Sequence, residues 1–183
     1  MGAEVYHKTL GLYGFGPIGQ AMARRGCSMR IIYHSRRRAE ESIEREFEAR
    51  YVDPETLLHE SDFLSLHVPL TPATHHLIGA RELGLKKPTA FLINTARGKV
   101  VDEEALVEAL KSHKIVGAGL DVYEHEPHLH PELAKLDNVV LLPHVGSATG
   151  ETSLAMAMLA AENLLAALDG RRPANAINPE IYL

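Results

Sequence analysis

Short apolar runs rich in Val, Ile and Leu recur along the chain, separated by stretches whose apolar positions fall three and four residues apart. The runs predict strands at 9–13, 29–33, 63–66, 90–94, 117–120 and 139–142, with a weaker one at 49–52. The helical spacing predicts helices at 18–25, 38–47, 54–59 and 103–112. Strands that are apolar throughout, not at alternate positions, are buried on both faces, and strand-helix-strand order implies parallel crossovers. The expected fold is therefore α/β, a doubly wound parallel sheet in three αβα layers. "VVDEEALVEAL" shows how one boundary is written. Asp102 caps, Glu103 and Glu104 suit the positive end of the helix dipole, and Leu106, Val107 and Leu110 make the buried stripe.

A last helix at 151–168 departs from this pattern, because "LAMAMLAA" is apolar on every side. Such a helix requires burial all round, and one flank of a single sheet leaves part of it wet. The expectation is that 151–183, helix and irregular tail, packs on a partner subunit or a second domain, and that the protein is a homodimer. Its most apolar stretch, 154–161, is too short to span a bilayer, so no membrane association is expected.

The length of 183 residues suits one domain over 1–183. With 19 basic and 24 acidic residues the net charge is −5, and no long block of one sign suggests nucleic acid as a partner. Cys27 is the only cysteine, which excludes a disulfide framework and points to a reducing cytoplasm. His67, His75, His76, His125, His128 and His130 lack a helical i, i+4 pair or a cysteine partner, and no metal site is expected of them.

"GLYGFGPIGQAMARR" sets Gly14, Gly16 and Gly19 in G-x-G-x-x-G spacing between a predicted strand and a predicted helix. Gly14 permits the tight turn, Gly16 lets the backbone approach a pyrophosphate, and Gly19 lets helix and strand pack closely, as in a dinucleotide-binding Rossmann unit. The second strand of such a unit normally ends in an acid that bonds the ribose 2'-hydroxyl. Here it ends in Ser35, Arg36 and Arg37. A hydroxyl and guanidinium groups would hold a 2'-phosphate that a carboxylate would repel, so NADP(H) is expected in preference to NAD(H). The bland alternative, a solvated helix start, suits Arg38 better than Arg36.

Further strand ends carry chemistry. "INTARGK" puts Thr95, Ala96 and Arg97 at one carboxyl edge, "GLDVYEHEP" puts Asp121 and Glu126 at the next, and "LLPHVGSAT" puts His144 at the one after. If the reaction is hydride reduction of a 2-keto acid, Arg97 can pair with the substrate carboxylate and polarise the carbonyl, and His144 can protonate the developing alkoxide. Glu126 can orient His144 and favour its charged form.

"GFGPIG", "LHVPLTPATHHLIG", "LINTARGKVVDEEAL", "GAGLDVYEHEP" and "NVVLLPHVGSAT", in this order over 8–179, make the chain resemble the cofactor-binding domain of the D-isomer-specific 2-hydroxyacid dehydrogenases. The resemblance is nearest the glyoxylate and hydroxypyruvate reductase branch. It implies Arg97 as binder of the substrate carboxylate, His144 as proton donor, and Glu126, the acid just before proline, as its partner in preference to Glu124. It further implies Phe15, Gly16, Pro17 and Ile18 as the pyrophosphate loop, and Ser35, Arg36 and Arg37 as the 2'-phosphate site. Val68, Pro69 and Thr74 would be walls of the cofactor cleft. Thr95, Ala96, Asp121 and Gly146 would line its nicotinamide side, which Arg97 and His144 border. Members of the family have two domains, and the expectation is that this chain is the cofactor half without its substrate domain. Lys86 stands where the family usually has methionine, Ser153 where it often has arginine, and "ARRGCSMR" is shorter than the usual turn. A second reading is an NADP(H)-binding module or scaffold without catalysis. A methyltransferase on the same sheet would have no use for the Arg, Glu and His set.

Overall fold

The computed structural model describes residues 3–26 and 28–182, so Cys27 lies outside the described residues. Two compact units divide the chain, Met1–Pro143 and His144–Leu183.

The first unit contains β1 (Thr9–Tyr13), α1 (Pro17–Arg24), β2 (Arg30–His34), α2 (Glu41–Phe47), β3 (Arg50–Tyr51), α3 (Pro54–Glu60), β4 (Phe63–Leu66) and α4 (Ala80–Gly84). It continues with β5 (Phe91–Asn94), α5 (Glu103–Lys111), β6 (Gly117–Leu120) and β7 (Val139–Leu141). All seven strands join one sheet in the order β3-β2-β1-β4-β5-β6-β7, and every pairing is parallel. β1 and β4 are central and buried almost throughout, as expected when helices cover both faces. Burying Leu10, Leu12, Leu64 and Leu66, each at most 1% exposed, contributes roughly 1.5–3 kcal/mol per side chain. β3 and β7 are the edges, and Val140 on β7 is exposed.

Caps set the helix starts. Asp53 Oδ1 accepts from the Thr56 amide at 2.9 Å ahead of Pro54, and Asp102 Oδ1 from the Ala105 amide at 3.0 Å, each answering a donor that the first turn leaves unpaired. The helix expected at 38–47 begins only at Glu41. Its first residues are committed elsewhere: the Ala39 amide donates to Tyr33 Oη at 2.9 Å, and Arg38 turns back onto Glu44. The strand expected at 49–52 shrinks to Arg50–Tyr51, and α4, five residues long, is too brief to leave a period in the sequence.

The second unit holds α6 (Gly150–Leu168), capped by Thr149, whose Oγ1 accepts from the Thr152 amide at 3.1 Å. Of its residues only Ala166 is buried, while Leu154, Met156, Met158, Leu164, Leu165 and Leu168 are exposed. Among the described residues, the second unit does not itself supply the all-round burial expected of so apolar a helix. The helix takes the bounds expected of it within one residue. With 19 residues and a mean hydropathy of 1.2 over an 18-residue window, it is long and apolar enough to cross a membrane by length and composition alone.

Candidate active site

Between β1 and β4 the strand order reverses direction, and the loops leaving their carboxyl ends part to open a crevice, the place where ligands bind in open α/β sheets. Gly14 follows β1 with φ +100°, and its amide donates to His34 O at 2.8 Å. A Cβ there would lie 2.6 Å from His67 O, so the β1 and β4 loops touch backbone to backbone. At Gly19 a Cβ would come within 2.3 Å of Gly14 O, which seats α1 directly on the turn. Gly16 is different: a Cβ added there meets nothing within 4 Å. Its open side faces no protein atom, which is what close approach of a pyrophosphate requires. Pro17 begins α1, and no acid in the first turn offsets the positive end of the helix. Phe15 is buried, stacked on Tyr33 at 4.1 Å and edge-on to Phe47 at 5.8 Å, so its side chain anchors the loop and only its backbone can serve a ligand.

A cleft of about 580 Å³ runs from this loop to Ser35, Arg36 and Arg37, with Val68, Pro69 and Thr74 along its wall. Tyr13, His34, His67, Thr71, Ala73 and Leu77 also line it, none of them expected from the sequence. The arginine run is divided in its duties. Arg38 makes a bidentate pair with Glu44, Nε to Oε1 at 2.9 Å and Nη2 to Oε2 at 2.8 Å, and Tyr33 Oη donates to the same carboxylate at 2.6 Å. The bonds from Arg38 and then Tyr33 hold the Glu44 carboxyl down to about 2. Arg36 and Arg37 are exposed at the cleft and have no ion-pair partner among the described residues. Ser35 Oγ donates to Arg37 O and closes the turn that presents them.

Along the wall, Thr74 Oγ1 donates to Pro69 O at 2.6 Å and accepts from the Thr71 amide at 2.8 Å, which fixes the turn 69–74. Burial lowers the pKa of His67, whose Nε2 lies 2.9 Å from Ser65 Oγ, and favours its neutral imidazole.

The cleft shares His67, Val68 and Pro69 with a depression of about 470 Å³ that also takes in Ile18, Thr95, Ala96 and Arg97. That depression shares Leu70 and Arg97 with a third, of about 570 Å³, which reaches Gly98, Tyr123 and Glu126. One path thus leads from the arginines past the glycine loop to Arg97 and Glu126. Asn94, buried at the end of β5, clamps the loop on it: its Nδ2 donates to Arg97 O at 3.0 Å, and its Oδ1 accepts from the Ala96 amide at 3.1 Å. Gly98 follows where a Cβ would fall 1.8 Å from Tyr123 O, so the Arg97 loop lies flat against the loop carrying Glu126. Glu126 Oε1 accepts from the Tyr123 amide at 3.0 Å. Glu124 points elsewhere, with Oε1 at 2.5 Å from His76 Nε2. Asp121 is buried, and its amide donates to Asn94 O at 3.0 Å. His144, with φ +56°, and Gly146 stand at the start of the second unit, directly after the segment that leaves β7. Like those six cleft-lining residues, Asn94 was not expected from the sequence. Its signal is a lone amide ending an apolar strand in "FLINTARG".

A doubly wound parallel sheet with a glycine-lined crevice at its switch point is the architecture of a dinucleotide-binding domain. Comparison with known proteins is specific about which. The profile described as "D-isomer specific 2-hydroxyacid dehydrogenase, NAD binding domain" matches residues 1–146, and the chain belongs to this family. It is 57% identical over 183 residues to the glyoxylate reductase of Thermococcus litoralis, covering 99% of this chain and 55% of that protein. To glyoxylate/hydroxypyruvate reductase B of Enterobacter agglomerans it is 51% identical over 184 residues, covering 98% and 57%. The crystal structure of a glyoxylate reductase from Paecilomyes thermophila superposes with a TM-score of 0.85 at 43% identity, over 91% of this chain and 51% of that one. The chain spans about half the length of the curated relatives it matches.

Proposed function

We propose that the chain is the cofactor-binding half of a glyoxylate or hydroxypyruvate reductase that prefers NADPH to NADH. The observation that carries the preference is the division of the arginine run: Glu44 engages Arg38, while Arg36 and Arg37 remain unpaired beside Ser35 at the end of the cleft. Two guanidinium groups suit a dianionic 2'-phosphate, the Ser35 hydroxyl can join them by turning from Arg37 O, and no carboxylate lines that cleft to repel it. The bound cofactor would supply a hydride to C2 of a small 2-keto acid. One proton completes the 2-hydroxy acid product, and NADP+ is left. In this reading Arg97 pairs with the substrate carboxylate, His144 gives its proton to the alkoxide oxygen, and Glu126 steadies the imidazolium. Support for the first and last comes from their lining one depression; the role of His144 rests on the family motif.

Titration of the chain with NADPH and NADH, followed by nicotinamide fluorescence, tests the cofactor assignment. Ser35→Asp with Arg36→Ala should lower the NADPH:NADH affinity ratio tenfold or more, and an unchanged ratio refutes it. Mixing with NADPH and glyoxylate tests the reaction. Cofactor binding without turnover would leave a binding module. The exposed apolar residues of α6 support a homodimer, which sedimentation at high concentration would show and a monomer would contradict. The same family placement, with a single cysteine in the sequence, supports a cytoplasmic protein without membrane attachment. α6 falls inside the aligned span of the Thermococcus glyoxylate reductase.

A further inference from the structure

Behind the cleft wall, the turn that follows Thr74 carries two histidines whose side chains converge. His76 adopts φ +50°, a left-handed conformation uncommon outside glycine. Backbone bonds hold it there: the His76 amide donates to Lys99 O at 2.8 Å and the His75 amide to Thr71 O at 2.9 Å. Side chains of successive residues in extended backbone point to opposite sides. Here the two imidazole rings lie with centroids 4.0 Å apart. Facing them is Glu124, and one ligand atom from each of the three residues lies within 4.8 Å of the other two. Glu124 is itself fixed, its amide donating to Glu103 Oε1 at 2.7 Å. Glu103, which accepts that bond, is buried.

We propose that His75, His76 and Glu124 form a binding site for a divalent transition ion of the zinc class. The donor set argues for the class, since two imidazole nitrogens and a carboxylate suit Zn2+, Ni2+ or Cu2+, whereas Mg2+ and Ca2+ prefer all-oxygen shells. Ligands on a tetrahedral zinc, at about 2.0–2.1 Å bond length, stand roughly 3.3 Å apart. Forming that set takes an inward turn of the exposed His75 side chain and an opening of the His76–Glu124 pair from its present 2.5 Å. The ion replaces the bond between His76 and Glu124 and leaves a fourth position for water. It ties the turn 71–76, part of the cleft wall, to the loop 123–126, but its ligands are neither Arg97, Glu126 nor residues lining the cofactor cleft, so ion binding is tested apart from the reductase reading.

The tag-free chain is titrated with ZnCl2 by calorimetry and by competition with a chromophoric zinc indicator, beside His75→Ala and, as an exposed control, His59→Ala. One ion per chain is expected in the parent, with affinity reduced at least tenfold in His75→Ala and unchanged in His59→Ala. Glu124→Gln should show the same loss, with circular dichroism reporting its fold. If that variant fails to fold, His75→Ala decides alone, since its exposed side chain can be truncated without opening the core. The proposal is overturned if no saturable binding occurs, if His75→Ala binds as tightly as the parent, or if MgCl2 at equal concentration displaces the zinc.

Discussion

Glycines Gly16 and Gly98 both flank the crevice, yet their hydrogen atoms do opposite jobs. At Gly98 a methyl group would drive into the Tyr123 carbonyl, 1.8 Å away, with backbone on both sides and nothing flexible to yield. Gly98→Ala should cost about 3 kcal/mol or more in urea unfolding and displace the Arg97 loop. At Gly16 the same methyl meets no protein atom. Gly16→Ala should therefore keep the stability of the parent within about 1 kcal/mol while losing cofactor affinity. Equal stability losses in the two variants would contradict this division. Lys86 is a different residue-scale case, with Nζ buried and without a hydrogen-bond partner. Burial, then repulsion from Lys87, lowers its pKa from 10.5 to about 7. In the unfolded chain the amine keeps its proton up to the higher value, so between the two values the unfolded state binds more protons and stability rises with pH. Lys86→Met should be the more stable protein, by a few kcal/mol below pH 7. The gap should narrow as pH climbs toward 9. A gap independent of pH would show that the amine is not buried as a neutral base.

Helix ends are where elements and their neighbours compete for the same side chains. α5 starts where local chemistry says it should, and Asp102→Ala should cost about 1 kcal/mol, with Asp102→Asn retaining most of it. α2 starts three residues later than its sequence period, because Arg38 and Ala39 serve Glu44 and Tyr33 instead of a first helical turn. That small cluster has its own pH signature. The folded pKa of Glu44 lies near 2 against an ordinary 4.5, chiefly through Arg38 and then Tyr33. Its contribution is therefore complete above pH 4.5 and is lost as pH falls toward 2. Glu44→Gln should be less stable than the parent at pH 7 and approach it in acid, as urea midpoints at pH 7 and pH 3 would show. The wall of the cleft is built likewise from short bonds, with Thr74 spending its hydroxyl on the turn 69–74.

At the scale of the whole molecule, the sheet order decides where the crevice opens, and the loops after β1, β4 and β5 meet there because those strands are neighbours. Much of this was legible in the sequence. Unbroken apolar runs gave the buried strands, spacing gave the larger helices, and "GFGPIG" marked the loop after β1 before any contact was known. These features are short-range: a strand's burial on two faces, a turn's need for positive φ and a cap's hydrogen bond are each written within a few residues of chain. Pairing across the fold is not written that way. That Arg38 is engaged while Arg36 and Arg37 are free, that Asn94 clamps the Arg97 loop, and that His76 meets a Glu124 lying 48 residues away are decided by which loops the packed sheet brings side by side. The exposure of α6 is of the same kind, since an apolar helix declares in its sequence that it must be covered but not by what. The sequence by itself determined the longer elements, the family and the glycine turn, because local sterics and periodicity are local properties. The tertiary structure alone decided which charges stay available and which are neutralised, because a charge is free or paired only by virtue of its neighbours in space.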